Sequence, residues 1–134
     1  MKFKIFNASG FDKNDLVRTL DQIFPQKANT VVNVIFISEK EMKKLNKDFK
    51  NSNESTDVLS FDISDDLAEI YICPEYIKKN SSDFEVEIVR MIIHGVLHII
   101  GYEHKGYFDE QNVKEEMFKI QEKYLKEFYD ILEK

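Results

Sequence analysis

The sequence predicts an α+β fold in a single domain, residues 1–134, with a small mixed sheet of about four strands covered by helices. Three observations predict it. A length of 134 residues is that of one ordinary domain, and a 43% apolar content suffices for one contiguous core. Strand-like and helix-like periods alternate along the chain in the order β-α-β-α-β-β-α-α. One of the helical stretches is too apolar on every side to be a surface helix, so it forms the centre around which the others pack.

Residues 3 to 7 alternate as a strand does. From 12 to 24, Leu16, Leu20, Ile23 and Phe24 recur at helical spacing, with Asp12 as the cap and Pro25 as the stop. Val31 to Ile37 is a β-branched run and predicts the second strand. Ser38 with Glu41 forms a capping box for a helix over 39–48 whose buried side is Met42, Leu45 and Phe49. Asp57–Ile63 and Leu67–Cys73 read as a hairpin across the turn residues Ser64, Asp65 and Asp66. From Asp83 comes the central helix, with Ile88, Val89, Ile92, Ile93, Val96 and Ile99 as its apolar body and Gly101 as its stop. A last helix over about 109–132 carries Val113, Met117, Ile120, Tyr124, Phe128 and Ile131 along one packing side.

The charge balance, 19 Lys+Arg against 25 Asp+Glu, gives a net charge of −6 and excludes a protein that coats nucleic acid by bulk positive charge. The lone Cys73 permits no internal disulfide and reads as a small buried hydrophobe. The first residues lack the apolar run of a signal peptide, so a cytoplasmic location is expected. The most apolar stretch, Ile88 to Tyr102, is interrupted by Arg90, His94 and His98, and predicts no membrane span. Lys40, Lys43, Lys44 and Lys47 form a basic stripe leading toward Lys50, either a solvated face or a track for phosphates. Residues 51–77 hold seven acidic and no basic side chains, which read as solvated turn residues rather than as a second cation site at Asp62, Asp65 or Asp66. Tyr102, Tyr107 and Phe108 could stack on unpaired bases, but aromatics at such positions are more often core.

All three histidines lie between positions 94 and 104. His94 and His98 leave the same face of a helix, about 5 to 6 Å apart, a separation that one metal ion bridges. Gly101 lets the chain turn back so that His104 can complete a three-histidine site. Two histidines alone would read as partly buried polar residues. Three on so apolar a segment need partners for their ring nitrogens, and one metal satisfies three of those nitrogens at once. Zinc suits the set: three imidazoles and an open fourth position are its catalytic arrangement, because the ion lowers the pKa of water to roughly 7. A structural zinc would need a fourth protein ligand, from Cys73 or Glu103. Gly95 stands where helical zinc peptidases carry their general-base glutamate, which disfavours peptidase chemistry.

The run His94-Gly95-Val96-Leu97-His98-Ile99-Ile100-Gly101-Tyr102-Glu103-His104 resembles the H-G-x-L-H-x-x-G-Y-D-H signature of the YbeY family of bacterial rRNA maturation factors. Leu45-Asn46, then Lys50, then Thr56-Asp57-Val58-Leu59-Ser60-Phe61 resembles that family's second block, L-N-x-x-x-R followed by T-D/N-V-L-S-F. The resemblance covers essentially the whole chain. It implies a metal-dependent endoribonuclease specific for single-stranded RNA, acting in ribosomal RNA processing, notably small-subunit 3′-end maturation, and in ribosome quality control. It implies one Zn2+ per chain held by His94, His98 and His104, and a catalytic cation at Lys50. Expected partners are single-stranded and ribosomal RNA, the small ribosomal subunit and its proteins or assembly factors, with no membrane and no DNA. Lys50 replaces the family's arginine, keeping the charge but losing the bidentate fork suited to phosphate. Glu103, Asp62 and Ala68-Glu69 also depart from the family's usual residues, and none is a ligand position.

Three functions remain open on the sequence. A zinc endoribonuclease would use water or the RNA's own 2′-OH as nucleophile. A ribosome-assembly factor would use a structural zinc and have little nuclease activity, as Lys50 and the net charge of −6 allow. A metal hydrolase of small substrates would need a closed pocket at the histidines.

Overall fold

The computed structural model describes residues 1–8, 12–50, 57–102 and 115–133, with Lys50 described by its backbone alone. Strands β1 (Lys2–Phe6), β2 (Val31–Phe36), β3 (Val58–Ser64) and β4 (Leu67–Ile72) form one sheet in the order β1-β2-β4-β3. β1 and β4 both pair parallel with β2, and β3 closes the other edge antiparallel to β4. The sheet is therefore mixed and four-stranded, as predicted, while its strand order emerges only here. The β3–β4 hairpin carries an irregularity between Asp62 and Ser64, which leaves Ile63 exposed.

The helices are α1 (Lys13–Ile23), α2 (Glu39–Lys50), α3 (Pro74–Asn80), α4 (Phe84–Ile100) and α5 (Glu116–Leu132). Asp12 caps α1 by accepting from the backbone N–H of Asn14 and Asp15, and Asp83 caps α4 by accepting from that of Val86. The predicted capping box of α2 closes: Glu41 N–H donates to Ser38 Oγ at 3.2 Å while Ser38 N–H donates to Glu41 Oε1 at 3.3 Å. The short α3 is absent from the predicted order, although Pro74 at its first turn is the residue that tolerates that position.

Alternation along the strands divides the sheet into two unequal faces. Val32, Val34, Ile70 and Ile72 point to a large core shared with Leu20 of α1, Ile92 of α4 and Phe128 of α5. On the other face α2 covers a small cluster of Met42, Leu59 and Cys73, with Leu45, Phe61 and Tyr71 packed around it. Cys73 is buried, as expected. Phe49 is not: it is 65% exposed and meets Phe61 edge-on at 5.3 Å, because the inward line of α2 runs through Met42, Leu45 and the buried Asn46 instead. In α5 the buried side chains are Met117, Phe118, Gln121, Leu125 and Phe128. The predicted packing side is thus rotated, with Ile120, Tyr124 and Ile131 at the half-buried margin of the helix. Residues 109–114 of the predicted last helix, Val113 among them, lie outside the described residues.

α4 is the central helix that its sequence predicts, with nine buried residues, and Gly95 explains how it sits so close to the sheet. A Cβ at Gly95 would come within 3.0 to 3.3 Å of the Ile70 side chain on β4. Among the described residues no helix is long and apolar enough to cross a membrane.

Candidate metal centre

His94 projects from α4 toward α5, His98 lies beside it one turn on, and both are half-buried. Their ring centroids lie 4.7 Å apart with the planes 82° to each other. His94 lies nearly parallel to Phe118 of α5, at 6.2 Å and 16° between the planes. The two imidazoles approach through Nε2, 3.1 Å apart.

The other nitrogen of each ring meets an acceptor. His94 Nδ1 is 2.8 Å from Gln121 Oε1, and His98 Nδ1 is 3.0 Å from the carbonyl oxygen of Tyr102. Gln121 Nε2 donates to the Glu122 carboxylate at 3.0 Å, so it is the amide oxygen that faces His94. A carbonyl oxygen cannot donate, so both Nδ1 atoms carry their proton and both Nε2 lone pairs are directed at one point. Two lone pairs across 3.1 Å repel unless a cation or a proton lies between them. Two nitrogens on one tetrahedral zinc, each at 2.0–2.1 Å, stand about 3.3 Å apart, so the pair fits such an ion with little adjustment.

Gly101 makes the second of these contacts. Its φ of +121° ends α4, its N–H donates to the carbonyls of Leu97 and His98, and Tyr102 N–H donates to Leu97 at 2.9 Å. This helix end brings the Tyr102 carbonyl within hydrogen-bond reach of the His98 ring. His104, the expected third ligand, lies outside the described residues, as do Glu103, Tyr107 and Phe108. Lys50 closes α2, and its side chain is likewise outside the description.

Behind Gln121 the polar contacts continue. Glu122 receives Arg90 Nε at 3.0 Å and Nη2 at 3.1 Å, and Arg90 Nη1 donates to Glu87 one turn earlier on α4. Burial by itself would lower the Arg90 pKa, but the hydrogen bonds and charges of Glu122 and Glu87 raise it overall. Neither Gln121 nor Glu122 is among the site residues that the sequence suggests. The one signal available is a glutamine set among Met117, Phe118 and Leu125, a polar residue in an apolar stripe.

Cys73 belongs to the cluster under α2, on the other face of the sheet, which leaves it no part in a site on α4. Among the described residues no group of three or more His, Cys, Asp or Glu side chains converges as a metal cage. Asp65 and Asp66 occupy the exposed β3–β4 turn, where Ser64 Oγ donates to Asp66. A surface cleft of about 580 Å³ between β1 and α1, lined by Ile5, Val17 and Asp21, lies away from the imidazoles.

Fold and site together define a class: a mixed-sheet α+β domain whose buried helix directs two tautomerically fixed imidazoles at a common point. A family model described as Endoribonuclease YbeY matches residues 8–129. A Thermotoga maritima protein named Endoribonuclease YbeY is 38% identical, the alignment covering 86% of this chain and 79% of the relative. A Phytoplasma australiense protein of the same name is 33% identical over 94% of each chain. The solution structure of a Thermotoga maritima protein superposes with a TM-score of 0.69 at 34% identity, covering 98% of this chain and 91% of that one. This chain belongs to the YbeY endoribonuclease family.

Proposed function

We propose that this protein is a zinc-dependent endoribonuclease that cuts single-stranded RNA in ribosomal RNA processing, at small-subunit 3′-end maturation and in ribosome quality control, in the cytoplasm. The observation that carries the metal is the Nε2 pair at 3.1 Å with both Nδ1 protons committed to carbonyl oxygens. The RNA substrate rests on the family and on the name its relatives bear.

In this reading His94, His98 and His104 hold one zinc, which when bound supplies a Lewis acid beside the scissile phosphate. The chain's own residues do the rest. Gln121 and the Tyr102 carbonyl keep the two imidazoles in the tautomer that coordinates, and Phe118 limits how far the His94 ring can tilt. Lys50 offsets the negative charge that gathers on the phosphate as the bond breaks. The exposed lysines of α2, Lys40, Lys43, Lys44 and Lys47, hold the RNA backbone. Of the acidic residues beside them, Glu39 is paired with Lys79, which offsets its charge. Gly95 offers no general base, in keeping with a phosphodiester rather than a peptide substrate. Single strands are favoured because their splayed nucleotides reach a site on a helix flank that the deep groove of A-form RNA cannot present. The ribosomal partners are the small subunit and its proteins or assembly factors.

The test incubates zinc-loaded and chelator-stripped protein with single-stranded and duplex RNA, alongside His98→Ala. The zinc form should cut the single strand and spare the duplex, and the other two preparations should be inactive. A 2′,3′-cyclic phosphate end identifies the RNA's own 2′-OH as nucleophile, and a 5′-phosphate with a 3′-OH identifies water. RNA cleavage that survives both chelation and His98→Ala defeats the zinc reading.

A further inference from the structure

We infer that Gln121 of α5, braced by Glu122 and through it by Arg90, is the positioning residue that holds His94 in the one tautomer and ring orientation able to coordinate at Nε2. The two imidazoles of the site are fixed by different devices. His98 is fixed from within its own helix end, by the backbone carbonyl of Tyr102, four residues on and next to the Gly101 cap; that carbonyl cannot rotate to present a donor. His94 is fixed from a side chain 27 residues away on another helix, and an amide can rotate.

The rotation matters because the two ends of an amide have opposite effects. With Oε1 toward the ring, Gln121 requires the proton on Nδ1 and leaves the Nε2 lone pair toward His98. Turned over, its NH2 would donate to Nδ1, move the ring proton to Nε2 and remove the lone pair from the site. Glu122 decides between them. Its carboxylate accepts from Gln121 Nε2 at 3.0 Å, so a flipped amide would set an oxygen against an anion. Glu122 in turn is held by two donors of Arg90, and Arg90 is fixed on α4 by Glu87 one turn away. The contacts thus form a closed circuit: α4 carries His94 and Arg90, α5 carries Gln121 and Glu122, and the ion pair that docks the helices also selects the imidazole tautomer. Gln121 is fully buried, which removes water as a substitute acceptor.

The zinc arm of the test rests on the proposed function, whereas the tautomer is a property of the metal-free protein and is read without metal or RNA. In mildly alkaline buffer, long-range 1H–15N NMR of the metal-free full-length protein assigns the proton on each ring. Wild type should show His94 protonated at Nδ1. Gln121→Leu, close in volume, should shift His94 toward the Nε2-protonated form while His98 stays unchanged. The double variant Gln121→Glu, Glu122→Gln keeps an acceptor at the ring and a donor behind it, and should restore the tautomer. Glu122→Ala, at a side chain 34% exposed and therefore tolerant of truncation, should give a mixture. Zinc affinity, measured against a competing chelator, should fall roughly 10- to 100-fold in Gln121→Leu and recover in the Gln121→Glu, Glu122→Gln double variant.

A folded Gln121→Leu with His94 still protonated at Nδ1 overturns the inference, and so does an unchanged tautomer in Glu122→Ala if the leucine variant fails to fold. Tautomer shifts as expected in a wild type that binds no zinc would uphold the positioning role and defeat the zinc reading instead. Shifted tautomers with undiminished zinc affinity would overturn the claim that the circuit prepares the site for coordination.

Discussion

On one face of the sheet, α1, α4 and α5 enclose a core in which Leu20, Phe24, Ile70, Ile88, Ile92 and Leu97 are completely buried, whereas on the other face α2 covers a smaller cluster whose buried members, among the described residues, are Met42, Leu59 and Cys73. The two imidazoles stand on the deep side and Lys50 ends the helix on the shallow one. Coordination tolerates errors of a few tenths of an ångström, so its ligands need a helix whose rotation about its own axis is fixed by packing on every side. A charge that offsets phosphate acts through a slowly varying Coulomb field and tolerates looser placement. Under the proposed function, the division between the faces follows what each group is required to do.

The strongest way to break this comparison is at the imidazoles themselves. His98→Ala should remove zinc, by elemental analysis, and abolish RNA cleavage while the circular dichroism stays native, since the ring is half-buried at the core margin rather than part of its interior. Full zinc content in that variant would separate the pair from any metal.

The next effect concerns the two cores. Ile92→Ala should cost about 4 kcal/mol and Met42→Ala about 2 kcal/mol, the upper and lower parts of the range for truncating buried aliphatic residues. Both side chains are 0% exposed, so the difference would report how tightly each surrounding layer is packed. Denaturant unfolding measures it. Ile92→Ala should also weaken zinc binding and Met42→Ala should not, and equal losses of zinc affinity would erase the distinction drawn between the faces.

A smaller effect is expected at Lys50. Lys50→Ala should retain zinc and fold but slow single-turnover cleavage roughly 10²-fold, about 2.7 kcal/mol, the scale for one preorganised group on developing charge. Lys50→Arg should be tolerated or faster, since a guanidinium can hold two phosphate oxygens. If Lys50→Ala behaves like Lys44→Ala, with a loss confined to RNA affinity and abolished by moderate salt, Lys50 is only the end of the stripe.

The smallest effect tests the shallow core. Burial, aided by the charges of Glu39 and Glu75 and opposed by backbone hydrogen bonds from Tyr76 and Glu75, pushes the Cys73 thiol above its ordinary value. The folded state therefore keeps its thiol proton more firmly than the unfolded chain does. Its contribution is constant below about pH 9 and is lost as the pH rises beyond that, where the unfolded chain gains by ionising. Cys73→Ala should flatten the alkaline decline of stability seen in urea midpoints, and an identical decline in both proteins would assign it elsewhere.

Much of this architecture is local and was legible along the chain. The caps at Asp12, Ser38 with Glu41, Asp83 and Gly101 mark helix ends because each side chain or positive φ satisfies backbone groups within a few residues of itself. His94 and His98 share a face by helix geometry alone, and the apolar surround of α4 announces its burial. Periodicity says which side of an element is apolar but not what covers it. Hence the order β1-β2-β4-β3, the exposure of Phe49 and the rotated packing side of α5 depended on contacts between elements distant in sequence. The same limit hid the partner of His94. Gln121 reads as one polar residue in an apolar stripe until α5 docks on α4, and only that docking turns its amide oxygen to the ring and commits the imidazole's proton. Sequence by itself determined which side chains were available to bind a metal; tertiary packing decided how they are held, because a tautomer is set by the hydrogen bond on the far side of the ring.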